Sequence, residues 1–387
     1  MSEVRATAVG DRPPAVGTWA WRRMAVTVHA DDAEVAARIR ALLGGLRSTD
    51  PPPPATTTEV VVTSGPWPNR ADLAERRHQV FIDGIIHLQT HVTWQVDDVL
   101  LGHLNGRALG VDVDDLHLHA ALVSRRGVGL LLLGASGSGK STLAVHLARR
   151  GWTLHGDEMV VVEADGAVRA FTRPPTLKRG SWPFFADLPS VPRPDAEDPA
   201  RDRAHVPFAE IDVDAPRDRD RPVRPVAAIF VGHGASEVGL RPRTPTDALA
   251  GLVADTLDLE RAGRRGFDRV VGLADGIPAF DLDGGSPDES ADVLEHLVDQ
   301  ASPAPSAGPV SAEAANERGG LWRLGGQAVV YDLVTGRVAT VDDATATVVG
   351  SRLGRRRSAP DDADDADVVA VREALAEAGI GLWEAAR

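Results

Sequence analysis

A lysine and a serine directly behind closely spaced glycines, followed downstream by a pair of adjacent carboxylates, are the residues of this chain whose types and spacing can do chemistry. The glycine-rich stretch reads Gly134-Ala135-Ser136-Gly137-Ser138-Gly139-Lys140-Ser141 with Thr142 behind it, and the carboxylates are Asp157 and Glu158. A polyphosphate needs several donors converging on it. Backbone that wraps an anion tightly takes φ values that glycine alone reaches cheaply, which accounts for Gly134, Gly137 and Gly139. The loop amides then point inward, Lys140 can reach the β and γ phosphates of a nucleotide, and the Ser141 hydroxyl can ligate Mg²⁺. Of the two acids, one can hold Mg²⁺, directly or through water, while the other takes the proton of an attacking hydroxyl. ATP and Mg²⁺ are the cofactors this set implies, with Ser141 and Asp157 as the metal-side candidates.

Three elements must position these groups. Val128 to Leu133 is a short apolar run that reads as a buried strand, too short to cross a bilayer. A helix from Lys140 carries Leu143 and Leu147 on one face, Arg149 and Arg150 in its last turn and Gly151 at its end. Its positive end adds to the anion site. Met159 to Val162 reads as a strand opened by the two acids and turned back at Asp165-Gly166. Because successive strand residues face opposite ways, Asp157 and Glu158 are expected to do different jobs. The competing reading is a solvated acidic turn.

Residues His119 to Val162 resemble the HPr kinase/phosphorylase family, and more closely its shorter HPr-kinase-related relatives. The resemblance rests on His119-Ala120-Ala121, Gly127, the phosphate loop, Gly151-Trp152 and Asp157-Glu158. It implies an α/β fold, a P-loop kinase domain of the HPr kinase/phosphoenolpyruvate carboxykinase type in which the nucleotide lies across a mixed sheet. It also implies transfer of phosphate to a serine hydroxyl, with catalytic roles for His119, Lys140, Asp157 and Glu158. HPr kinases proper carry Asp-Asp where this chain has Asp157-Glu158. Their Arg-Gly-rich segment with a metal-binding glutamate is replaced by Arg173-Pro174-Pro175-Thr176-Leu177-Lys178-Arg179-Gly180-Ser181, similar to the Pro-x-x-Leu-Lys segment of the shorter relatives. HPr as substrate and the reverse phosphorylase activity are therefore not expected. Lys178 is a candidate contact for substrate or transferring phosphate, against the alternative of a solvated lysine.

The remaining chain bounds the class. At 387 residues and 43% hydrophobic content it has material for more than one domain, and its formal charge of −14 argues against a nucleic-acid partner. No cysteine is present, so neither a disulfide framework nor a thiolate metal site is expected. With neither a signal peptide nor an apolar run of membrane length in the sequence, no membrane association and a cytoplasmic location are expected. The pattern divides into a loose, flexible lead-in (1–22), a small α+β N-terminal domain (23–110), the kinase-type domain (111–300), an Ala/Pro/Ser/Gly linker (301–320) and a small winged-helix-like C-terminal domain (321–387). Asp115 to Val123 reads as one strand, with His117 and His119 on one face as a conceivable metal pair. Ser190 to Pro225, rich in Pro, Arg and Asp, reads as a long mobile loop, and Val270 to Leu273 as a closing strand.

The last segment, a hairpin of Ala328–Leu333 and Arg337–Val341 followed by two helices, resembles the PqqD-like peptide-recognition domains that serve ribosomal peptide modification. That resemblance implies a leader peptide adding as a strand to the hairpin edge. A dimerising or capping piece, and with it a homo-oligomer, is the alternative. Three functions follow from the residues together: a kinase acting on a Ser/Thr hydroxyl of a peptide or protein, a nucleotide-controlled switch with little transfer chemistry, and a kinase of a small hydroxylated metabolite.

Overall fold

The computed structural model describes residues 12–48, 57–65, 77–111, 115–193, 198–212, 219–232, 237–301, 310–353 and 366–382. The chain is mixed α/β and falls into two compact units: residues 1–112, 141–159 and 170–221 form one, and residues 113–140, 160–169 and 222–387 the other.

The first unit is built on a six-stranded sheet in the order Arg47–Ser48, Ala15–Trp21, Met24–Ala30, Thr57–Gly65, Arg77–Ile82, Ile85–Thr90. Helix Ala33–Leu43 begins where the Asp32 side chain accepts the amides of Glu34 and Val35, and it buries Val35, Ile39, Leu42 and Leu43. Helix Thr93–Val111 buries Val96, Leu100, Leu101 and Leu104. The sheet's first strand is tied to the segment before Arg173. Trp21 Nε1 donates to the Ala170 carbonyl at 3.1 Å, and its ring meets Phe171 edge-on at 4.9 Å. Gly45 makes a second tie, since a Cβ there would lie 2.6 Å from the Thr172 carbonyl oxygen. An antiparallel ribbon of Thr176–Lys178 and Arg203–His205 follows, pairing Thr176 with His205 and Lys178 with Arg203.

In the second unit the strands Ala121–Arg125, Val128–Leu133, Pro225–Val231, Ala279–Asp283 and Gly239–Pro242 are hydrogen-bonded in that order. The three middle strands are parallel and the outer two antiparallel, so the sheet is mixed. Leu130 to Leu133 are fully buried, as a strand inside a sheet requires. A four-stranded antiparallel sheet, Ala314–Ala315, Gly319–Leu324, Gln327–Asp332 and Arg337–Val341, is followed by helices Asp343–Leu353 and Ala366–Glu377. Alternation gives this sheet two buried faces. Leu321, Ala328 and Val330 pack with Val349, Leu353 and Leu375 of its own helices. On the other face Tyr331 stacks on Phe267 at 4.0 Å, and Trp322 meets Phe267 edge-on while its Nε1 donates to Asp268 at 2.8 Å.

Several expectations need correction. Ala15–Trp21, inside the stretch read as a lead-in, is a strand, because Trp19, Ala20 and Trp21 are buried in the first sheet. Val270 to Leu273 belongs to the helix Leu259–Gly276, which breaks at Gly263 (φ 56°, ψ −147°). Phe267, Val270, Val271 and Ala274 recur at helical spacing, and the apolar run alone hid that period. Asp115 to Val123 is two strands, Leu116–Leu118 and Ala121–Arg125, in different sheets. The supposed loop 190–225 contains the strand Arg203–His205 and the helix Phe208–Ile211, anchored by buried Ala204, Val206, Phe208 and Ile211 that its many charges obscure in sequence. Residues 194–197 and 213–218 of that stretch and residues 302–309 of the expected linker lie outside the described residues, while the rest of that linker carries strand Ala314–Ala315 and the start of strand Gly319–Leu324, paired in the C-terminal sheet.

Candidate functional site

In the second unit the glycine-rich loop leaves the end of strand Val128–Leu133. Gly134, Gly137 and Gly139 take φ of 127°, 89° and 96°, the left-handed region in which a wrapping loop needs glycine. At Gly134 a Cβ would also lie 2.6 Å from the Val231 carbonyl oxygen. Lys140 is buried, and its Nζ donates to the carbonyls of Gly134 and, at 3.3 Å, Ala135. The Ser138 Oγ is buried without a hydrogen-bond partner, the state expected of a donor kept for an anion. Ala135, Ser136 and Gly137 are exposed at the loop's tip.

Asp255, which follows the helix Pro245–Ala254, carried no signal in the sequence. Its carboxylate accepts the Gly134 amide at 2.8 Å, and its carbonyl accepts the His119 amide at 2.6 Å. One residue thus fixes both the start of the loop and the corner where the chain passes from strand Leu116–Leu118 to strand Ala121–Arg125. That corner places His119, half-buried, beside the root of the loop. His117 does not join it as a metal ligand: its Nδ1 is held by the Asp258 carboxylate at 2.6 Å and its amide by the same group at 2.9 Å. Among the described residues no group of three or more His, Asp or Glu is placed to hold a metal ion.

In the first unit Asp157 and Glu158 stand between strand Thr153–Gly156 and the strand that begins at Val160, in a bend. They lie outside the strand they were expected to open, and they differ in exposure: Asp157 is buried, whereas the Glu158 side chain is 27% exposed. Asp157 Oδ2 accepts the Thr176 amide at 3.2 Å, and Oδ1 is buried without a well-aligned partner. Burial, with the negative charge of Glu158 beside it, pushes the Asp157 carboxyl up to about 7, against the pull of the Ser141 hydroxyl, the Thr176 amide and Arg173. Such a group can exchange a proton near neutrality.

Arg173 was visible in the sequence only as part of a family-like segment. Its guanidinium is buried, bonds the Thr176 hydroxyl at 2.5 Å and lies 3.9 Å from Glu158 Oε1. Thr176 Oγ1 is also 3.0 Å from His205 Nδ1, and His205 Nε2 is 2.5 Å from Asp98 Oδ1. Neither His205 nor Asp98 carried a sequence signal, since their meeting depends on the ribbon register and on helix Thr93–Val111. Lys178 is exposed two positions beyond Thr176, on the same side of its strand, with Asp202 nearby.

The residues present fit ATP and Mg²⁺. A left-handed glycine loop, an unpartnered buried hydroxyl and a lysine suit phosphates, and Mg²⁺ takes hard oxygens, commonly one or two carboxylates with substrate phosphates. Asp157 Oδ1 and the Ser141 hydroxyl beside that carboxyl are such oxygens.

Part of this chain is similar to known proteins. Residues 113–180 match the family described as HPr Serine kinase C-terminal domain. HPr kinase/phosphorylase of Chlorobium phaeovibrioides is 46% identical over 48 residues, 12% of this chain and 14% of that protein. The Geobacter sulfurreducens protein of the same name is 49% identical over 47 residues, 12% and 15% of the two chains. That of Limosilactobacillus reuteri is 34% identical over 120 residues, 31% and 35%. The matched stretch of this chain is HPr-kinase-like, and the chain spans 14% to 35% of the length of these curated relatives. Among the described residues no helix is long and apolar enough to cross a membrane.

Proposed function

We propose that this protein is an ATP-dependent phosphotransferase that moves the γ-phosphate of ATP to a Ser or Thr hydroxyl of a peptide or protein. The observation that carries the reading is the contact between Ser141, the last residue of the phosphate-loop motif, and the buried carboxyl of Asp157. It joins a phosphate-binding motif to a general-base candidate through one hydroxyl.

The loop from Gly134 to Ser141, with Thr142 behind it, binds the phosphates. Lys140 leaves its loop carbonyls to stabilise charge on the transferring group. Ser141 and Asp157 hold Mg²⁺, which when bound neutralises charge on the β and γ phosphates. Asp157 or Glu158 takes the proton of the acceptor hydroxyl, His119 orients the phosphoryl group, and Lys178 meets the acceptor or its new phosphate. The relatives' printed name, HPr kinase/phosphorylase, supports the kinase class. The departures in the acid pair and in segment 173–181 speak against HPr itself as acceptor. We extend the reading to the domain division at 23–110, 111–300 and 321–387 and to a cytoplasmic setting. The C-terminal sheet, whose strand Arg337–Val341 pairs on one side with Gln327–Asp332, serves as a PqqD-like dock for a peptide strand.

The test is incubation with γ-labelled ATP, Mg²⁺ and any short peptide encoded beside this chain, read by mass spectrometry. A phosphoryl group gained on a hydroxyl residue, and lost with Lys140→Ala, supports the reading. ATP binding without any phosphorylated product favours a nucleotide-controlled switch, and a phosphorylated small molecule favours a metabolite kinase.

A further inference from the structure

The acid pair is backed by a continuous hydrogen-bonded chain inside the first unit, and its outer end comes from the leading part of the sequence. Arg173, an obligate donor, gives an N–H to Thr176 Oγ1 at 2.5 Å. That oxygen also meets His205 Nδ1 at 3.0 Å, and His205 Nε2 meets Asp98 Oδ1 at 2.5 Å. A carboxylate only accepts, so Nε2 carries the imidazole proton. A neutral ring then leaves Nδ1 bare, and Nδ1 accepts the Thr176 hydroxyl proton. Burial lowers the His205 pKa, which favours this neutral form. The order is directional: Arg173 to Thr176, Thr176 to His205, His205 to Asp98. With the opposite tautomer, Nδ1–H and Arg173 would both donate to Oγ1, and the hydroxyl proton would lose its acceptor.

Thr176 has a further duty, because its amide donates to Asp157 Oδ2 at 3.2 Å. The position of one residue therefore bears on both acids: on Asp157 through the backbone, and on Glu158 through the Arg173 guanidinium 3.9 Å away. We infer that His205 and Asp98 are positioning residues which, through the Thr176 hydroxyl, hold Arg173 and the Thr176 backbone in register with the Asp157–Glu158 pair. Asp98 lies in helix Thr93–Val111, so the leading α/β segment helps to order the acid pair. The inference rests on the proposed role of those acids, but the hydrogen-bond order can be tested without it.

Nitrogen NMR of the full chain labelled at histidine reads the tautomer directly. The expected result is a neutral Nε2–H ring for His205. An Nδ1–H ring or an imidazolium in the unsubstituted protein at neutral pH overturns the relay. Turnover of Mg·ATP supplies the second reading. Asp98→Asn, His205→Ala and Thr176→Val should lower kcat by roughly tenfold to hundredfold with KM for ATP unchanged, while Thr176→Ser restores it. Unchanged kcat, or equal losses in Thr176→Val and Thr176→Ser, overturns the positioning role. If the unsubstituted protein turns over no ATP, the proposed function fails, and the relay is still decided by the tautomer.

Discussion

The Gly134 amide and the Asp255 carboxylate meet at 2.8 Å, joining the first residue of the phosphate loop to a side chain 121 positions later in the chain. The same Asp255 also receives the His119 amide on its carbonyl. Asp255→Ala removes the acceptor of a charge-assisted hydrogen bond, and the expected loss of folding stability is about 1.5–3 kcal/mol. Asp255→Asn keeps an acceptor and should lose less. Denaturant unfolding of both variants, with amide exchange at Gly134, checks the ordering.

Stability should depend on pH through Asp157. Its folded pKa of about 7 lies above the ordinary 3.8, so the folded state holds this proton more tightly than the unfolded chain does. This contribution is complete below about pH 4, falls as pH rises towards 7 and is flat above. Asp157→Asn removes that part of the slope. Asp97, pushed up to about 6 chiefly by burial, leaves a shallower slope in the same window. Thermal unfolding from pH 4 to 8 measures both. Mg²⁺ favours the ionised carboxylate, so its binding at pH 6 should release protons, seen by calorimetry in buffers of different ionisation enthalpy.

Glycines in the two kinds of element should respond oppositely to alanine. Gly102 and Gly106 are exposed in helix Thr93–Val111 with open space where a Cβ would sit, so Gly102→Ala and Gly106→Ala should each stabilise by about 0.5–1 kcal/mol. Gly134→Ala meets both a positive φ and the Val231 carbonyl, and should destabilise by about 1–3 kcal/mol while weakening nucleotide binding. Chemical denaturation of the three variants decides it.

Trp322 is fully buried against Phe267 and donates to Asp268, so Trp322→Ala should cost about 3–5 kcal/mol. Trp322→Phe keeps the ring contact but removes one donor to Asp268, and should cost less. Proteolysis of the C-terminal segment, followed with time, ranks the two.

These contrasts show what could be read from the sequence. The phosphate loop, its strand and helix, the acid pair and the C-terminal hairpin were legible because each is contiguous and its residue types follow from local backbone demands. Arg173 and Thr176 were visible as part of a segment, without roles. Asp255, His205 and Asp98 were not legible, since each acts through a partner brought close by sheet register or helix packing far along the chain. The helix around Val270 was misread because four adjacent apolar residues satisfy a buried strand as well as a buried helix. The strand Arg203–His205 was hidden by charges on its neighbours.

Equilibrium titration of the full chain with Mg·ATP tests the central claim most directly. The loop geometry predicts saturable binding of one nucleotide per chain, with the amides of Gly134 to Thr142 protected from exchange on binding. Lys140→Ala should cut phosphoryl transfer about a hundredfold, on the order of 3 kcal/mol in the barrier. Failure of the unsubstituted protein to bind Mg·ATP, or protection that spares this loop, would contradict the account.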